Sequence, residues 1–195
     1  MGIFYSITAK ELLDIRNRIV LETAMPSLVN CGFCKSPFST AWNGRNNLGD
    51  FDYEMCRLTE NSRLEIIEIY VARGDRWIKF TLNVFELAPI VKSIEQLNGV
   101  DGLQFKLPPN SITEMRLRSD DIDRMPLLQL GYMTGHKLKS FYTKAGLARS
   151  IKRLADTIET DMKGIGQFVK RWHELHHPMV TNWTGHQIVN ESTAN

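Results

Sequence analysis

Between residues 76 and 87 apolar and polar side chains alternate with a period of two. Ile78, Phe80, Leu82 and Val84 fall on one side, Lys79, Thr81 and Asn83 on the other. This pattern predicts a half-buried strand. Residues 64–71 are apolar on both sides, as a central strand requires. Phe51, Tyr53 and Met55 share one side of another run, with Asp52 and Glu54 opposite, and Phe38, Thr40 and Trp42 share one side of a first. The stretches between them, 43–50, 59–62 and 73–75, are rich in Asn, Gly, Asp and Ser. Such residues tolerate positive φ or close turns through side-chain hydrogen bonds. Together the four runs predict a twisted antiparallel meander. A short helix over 89–98, stopped by Gly99, and a fifth short strand over 103–107, closed by Pro108 and Pro109, follow it.

The period changes to that of a helix at both ends of the chain. Thr8 and Glu11 form a capping-box pair, and Leu12, Ile15 and Ile19, widened by Leu13 and Val20, recur at helical spacing. Proline disfavours helical geometry in the residue before it, so this helix is expected to stop before Pro26. Leu147, Ile151, Leu154, Ile158, Met162, Ile165, Val169 and Trp172 recur in steps of three or four, which predicts a long helix across one sheet face. Gly164 and Gly166 should bend it, and Pro178 should end it. The fold class expected is therefore α+β: an antiparallel meander sheet of four to five strands, packed by N-terminal and long C-terminal helices. At 195 residues the chain fits one domain. Residues 1–110 would form a helix plus the sheet, 111–178 a mainly helical part, and 187–195 a flexible tail.

Composition changes this picture little. An apolar fraction of 43% and a charged fraction of 24% suit an ordinary soluble globular protein. No run approaches the roughly 18–20 apolar residues that span a bilayer, and residues 1–10 lack the pattern of a secretory signal. Three cysteines do not make a disulfide framework, so the expected compartment is the reducing cytoplasm. The net charge of +2 does not by itself point to nucleic acid. Its distribution is uneven: residues 136–177 carry nine Lys and Arg against four Asp and Glu, net +5. A basic helix can meet an acidic partner or a phosphate backbone, although a solvated helix face is the commoner meaning of such a run.

Two short patterns carry candidate chemistry. His173-Glu174-Leu175-His176-His177 matches H-E-x-x-H. On a helix this spacing sets two imidazoles on one face to hold Zn²⁺, with the glutamate as general base. In that alternative reading the protein is a zinc-dependent hydrolase, with His173, His177 and His186 (or Glu191) as ligands and Glu174 as the catalytic base. Against it, Pro178 follows the second histidine directly, and only 18 residues remain after it. Cys31-Gly32-Phe33-Cys34 has the spacing of a redox pair or half a zinc site. It follows a helix rather than opening one, so two small, thiol-bearing packing residues are the plainer reading.

Weaker signals add nothing specific. Asp120, Asp121 and Asp123 lack the glycine and closing glutamate of a calcium loop. Arg73-Gly74-Asp75 reads as a hairpin turn, and Met125, Met133 and Met162 as core filler. With no phosphate-binding glycine loop and no nucleophile elbow, no catalytic residue, cofactor or small-molecule substrate is assigned. Trp42, Asn43, Arg45 and Asn47, at a strand end and in the longest turn, have the residue types and placement of a binding loop. Lys79 and Asn83 would extend such a surface onto an open sheet face.

Gly32-Phe33 after the first helix, the run from Gly74 to Asn83, and the ending from Ile165 to Trp172 give the chain a resemblance. It resembles small bacterial α+β proteins of unknown function, some of them immunity proteins encoded beside toxins. That resemblance implies a binding protein with no catalytic residues. The function expected is non-enzymatic binding of another protein, in an immunity or adaptor role.

Overall fold

The computed structural model describes residues 5–118 and 135–188. Asp120, Asp121, Asp123, Met125, Met133, Glu191 and the chain from residue 189 lie outside the described residues. The fold is α+β, with helices at both ends of the chain and an open, chiefly antiparallel sheet of seven strands.

The first helix, α1 (Ala9–Ile19), starts at the expected capping box. Thr8 Oγ1 accepts from the Glu11 N–H at 3.1 Å, and Glu11 Oε2 accepts from the Thr8 N–H at 2.7 Å. The helical path beyond it does not stop before Pro26. A π-helical turn (Val20–Ala24), closed by the Met25 N–H on the Val20 carbonyl, leads straight into α2 (Met25–Asn30). The wider turn takes up one extra residue just before the proline. Pro26 thus opens a new helical segment, where its missing N–H costs little.

Three long strands, β3 (Phe51–Thr59), β4 (Arg63–Val71) and β5 (Lys79–Leu87), form the predicted meander in continuous antiparallel register. Its first member differs from the expectation. Residues 38–42 are not a strand. The edge is built instead from β1 (Cys34–Lys35) and β2 (Asn43–Arg45), both paired with β3, with 36–42 bulging between them. Phe38 leaves the edge because its ring is buried beside Phe105, with centroids 5.1 Å apart. Residues 103–107 are not a strand either: Leu103–Lys106 and Ile94–Leu97 are single 3₁₀ turns. Beyond β5 the sheet gains β6 (Met115–Arg116), antiparallel, and β7 (Met179–Thr181), parallel.

Period-two alternation divides the sheet cleanly. Tyr53, Met55, Ile67, Ile69, Phe80, Leu82 and Val84 face the helices in one core. There they meet α3 (Lys144–Lys163) and α4 (Ile165–Leu175), which are separated at Gly164 as the glycines predict. Cys56, Leu64, Ile66, Phe85 and Leu87 face the other way, into a second core closed by Phe38, Val91, Leu97 and Phe105. The face expected to be open around Asn83 is therefore covered there. No helix among the described residues is long and apolar enough to cross a membrane.

Candidate functional site

The β2–β3 hairpin carries the surface that the sequence singles out. At its tip the Asn46 side-chain oxygen accepts from the N–H groups of Leu48 and Asp50, at 3.0 and 3.1 Å. The Asn46 N–H bonds the Asp50 carbonyl at 2.8 Å. Gly49, at φ +84°, supplies the left-handed residue that closes the turn. Asp50 then anchors the tip to the sheet: its carboxylate accepts from the Tyr70 hydroxyl and, at 2.6 Å, from the Arg73 N–H. Those bonds, the Tyr70 hydroxyl foremost, hold the Asp50 carboxyl below its usual range.

This well-tied loop presents apolar surface to solvent. Leu48 is 78% exposed and Trp42 42%, and Asn43, Arg45 and Asn47 are exposed beside them. Arg45 lies back along the turn, its Nε on the Gly49 carbonyl at 3.3 Å. Lys79 is half-buried, with Nζ 5.7 Å from the Tyr70 ring centroid. Asn83 does not belong to this surface. It is 7% exposed, donating to the Asn110 carbonyl at 2.8 Å and accepting from the Thr113 hydroxyl at 3.0 Å.

The second sheet face also holds a carboxylate group that the alternation contains but does not by itself reveal. Glu54 and Glu68 are register partners across β3 and β4. Lys106, hung over them from its 3₁₀ turn, ion-pairs with Glu54 at 2.5 Å and lies 3.7 Å from Glu68. Burial pushes the Glu68 carboxyl up to about 7, with Lys106 opposing and Glu54, Glu114 and Asp52 adding to the rise. Burial also opposes the Lys106 charge, but Glu54 and Glu68 hold that ammonium above its ordinary value. The adjoining pocket, lined by Glu68, Thr81, Lys106 and Glu114, encloses about 30 Å³. That is room for a water molecule and not for a substrate. The signal available in the sequence was a pair of glutamates, Glu65 and Glu68, in a mainly apolar central run, of which Glu65 pairs with Arg57 at 2.6 Å.

The folded Glu68 keeps its proton up to about pH 7, whereas an ordinary carboxyl releases it near 4.5. Stability is therefore lost as pH rises through that interval. Glu68→Gln is expected to gain on the parent between pH 5 and pH 8, by about 1 kcal/mol after allowance for solvent screening. Urea unfolding at both pH values checks this, and an equal difference at each would contradict it.

Neither short pattern keeps in the structure the arrangement that its chemistry requires. α4 ends at Leu175, and His176 is already extended, at φ −137° and ψ 158°. His173 and His177 therefore do not occupy successive turns of one helix, the arrangement that lets H-E-x-x-H hold zinc. His173 packs edge-on against Trp172, Glu174 ion-pairs with Arg171 at 3.1 Å, and His186 Nδ1 lies 2.9 Å from the Thr184 hydroxyl. Burial lowers the His173 and His176 imidazoles below their ordinary value. Among the described residues no three His, Cys, Asp or Glu side chains are grouped to hold a metal ion.

Gly32, at φ +86°, turns the chain between the two cysteines. Cys31 then joins the helix-side core, with Sγ 3.5 Å from the Met162 carbonyl, while Cys34 packs in the second core. The thiols of the C-x-x-C pattern thus lie on opposite faces of the sheet. Cys34 pairs in register with Cys56 instead, whose buried thiol is pushed up by burial and by Cys34.

No protein-family model, no curated protein and no solved structure matches the chain.

Proposed function

We propose that this protein is a non-enzymatic protein-binding module, of the immunity or adaptor kind, and that the β2–β3 hairpin is its contact surface. One observation carries the reading: a hairpin whose tip is ordered by its own hydrogen bonds carries Leu48 at that tip and Trp42 just before β2, both exposed to solvent. Ordering a loop on binding costs free energy, and a loop already ordered avoids that cost. Exposed leucine and tryptophan contribute nothing to the cores, so a stable hairpin that displays them makes sense as an anchor. Arg45 beside them suits a partner with an apolar pocket rimmed by carboxylates. The three thiols are free, which agrees with a reducing compartment such as the cytoplasm.

The test is reconstitution from purified components. A partner captured on the immobilised chain should re-form a saturable complex with it in the presence of a chelator, and Glu174→Gln should bind equally well. A complex that needs added zinc, or one abolished by Glu174→Gln, would return the protein to the hydrolase class.

A further inference from the structure

A net charge of +2 conceals a second surface far from the hairpin in sequence. Two adjoining concavities of about 170 and 470 Å³ share Arg118, Arg153 and Thr157 and run along one side of α3. Their walls carry Arg118, Lys137, Lys139, Arg149, Lys152 and Arg153, against Asp156 as the one carboxylate among the described lining residues. Asp156 is taken up by Lys152 at 2.7 Å. Arg149, Arg153 and Lys139 are exposed and have no side-chain partner among the described residues.

Arg118 shows that the groove is built and not merely decorated. Its Nε and Nη2 make a two-pronged contact with Asp161, at 2.5 and 2.7 Å. Asp161 is itself buried and fixed from behind by His136, whose Nε2 lies 2.7 Å from the same carboxylate. His136 is seated edge-on against Phe80 in the helix-side core, with centroids 4.8 Å apart. A chain of contacts from the core thus locks the guanidinium plane, and no described acceptor takes Nη1. Arg118 holds a left-handed backbone at φ +59°, a conformation costly for a residue with a side chain. Gly135 makes room for it: a Cβ there would sit 2.9 Å from Arg118 Cδ. A pre-oriented guanidinium with a donor to spare is the group best suited to an oxyanion.

We infer that this groove binds the phosphodiester backbone of a nucleic acid. The cations are spread over two adjoining concavities and not gathered in one, as a site for a lone phosphate would need. Arg149 and Arg153 stand one helical turn apart on α3, roughly 6 Å along its axis, and Arg118, Lys137 and Lys139 line the adjoining concavity with Arg153. That arrangement offers separate donors to consecutive phosphates. Among the described residues no aromatic side chain lines either concavity, so the contact is to the backbone and binding is indifferent to sequence. This inference is independent of the hairpin reading, since it uses neither the tip nor its partner.

Fluorescence anisotropy with labelled twelve-nucleotide oligo-dT and oligo-U, titrated with the full chain, tests it. The two strands should bind alike, and affinity should fall roughly fiftyfold between about 50 and 200 mM salt if four phosphates are neutralised. Arg153→Glu should weaken binding at least tenfold, whereas Lys170→Glu, the same charge change on α4, should weaken it less than twofold. Arg118→Lys keeps the charge and loses the two-pronged hold on Asp161, and should weaken binding severalfold. Thermal unfolding of each variant confirms that it is folded. The inference is overturned by no binding at the lower salt, by equal losses from Arg153→Glu and Lys170→Glu, or by poly-glutamate of equal length competing as well as unlabelled oligo-dT.

Discussion

Replacing Arg16 by methionine is expected to remove about 3 kcal/mol of stability while preserving the fold. Arg16 is fully buried on the helix-side stripe of α1. Its Nη1 donates to the Trp77 carbonyl at 2.8 Å, its Nη2 to the Ala72 carbonyl at 2.9 Å, and its Nε to Leu12 at 3.1 Å. Ala72 and Trp77 bracket the β4–β5 turn, so one guanidinium ties the first helix to the turn that joins two central strands. Burial lowers the Arg16 pKa, with Asp75 and Asp50 opposing, so removing the charge returns part of the desolvation cost. Methionine fills similar space but leaves two turn carbonyls without their strong donor, at about 1–3 kcal/mol each. The loss should appear as a lower urea midpoint with an unchanged slope, and Arg16→Lys should recover part of it. A loss below about 1 kcal/mol would mean that water replaces the guanidinium at both carbonyls.

The second large effect concerns binding and not stability. Leu48→Asp should weaken the partner complex by at least thirtyfold, about 2 kcal/mol, because it puts a carboxylate where the apolar anchor enters the partner. Trp42→Ala should cost a similar amount by truncating the other anchor. Both side chains are exposed, and neither supplies a side-chain hydrogen bond that holds the tip. Their unfolding midpoints should therefore stay within about 0.5 kcal/mol of the parent. Asn46→Ala separates order from contact. It keeps both anchors but removes the acceptor for the Leu48 and Asp50 N–H groups, so it should weaken binding by slowing association and loosening the tip. Calorimetry and stopped-flow measurements on the reconstituted complex distinguish the three variants.

Features fixed by neighbours in the chain were legible from sequence. The Thr8 and Glu11 capping box, the alternation along β5 and the break at Gly164 each depend on residues within a few positions of one another. Features fixed by tertiary contact were not. Pro26 looks like a terminator until a π-helical turn changes the register ahead of it. Residues 38–42 alternate like a strand, yet Phe38 is drawn away by Phe105, 67 positions on, to close a second core. The same closure explains why Asn83 reads as a surface residue and lies buried. The candidate surfaces follow the same rule: the hairpin tip is local, and the residue types that make it a candidate can be read from 42–48. The basic groove joins Arg118, His136 and Asp161 across 43 residues, and only the overall excess of Lys and Arg in 136–177 hinted at it. Arg16 did leave a trace, as a charged residue on the apolar stripe of α1.

Hydrogen exchange on the reconstituted complex tests the central claim most directly, since it reports which backbone amides a partner covers. Protection on binding should centre on residues 42–50, with the amides of α3 and α4 unchanged. Protection confined to α3, α4 or the 88–114 excursion, with the hairpin exchanging as in the unbound chain, would contradict the assignment of the contact surface.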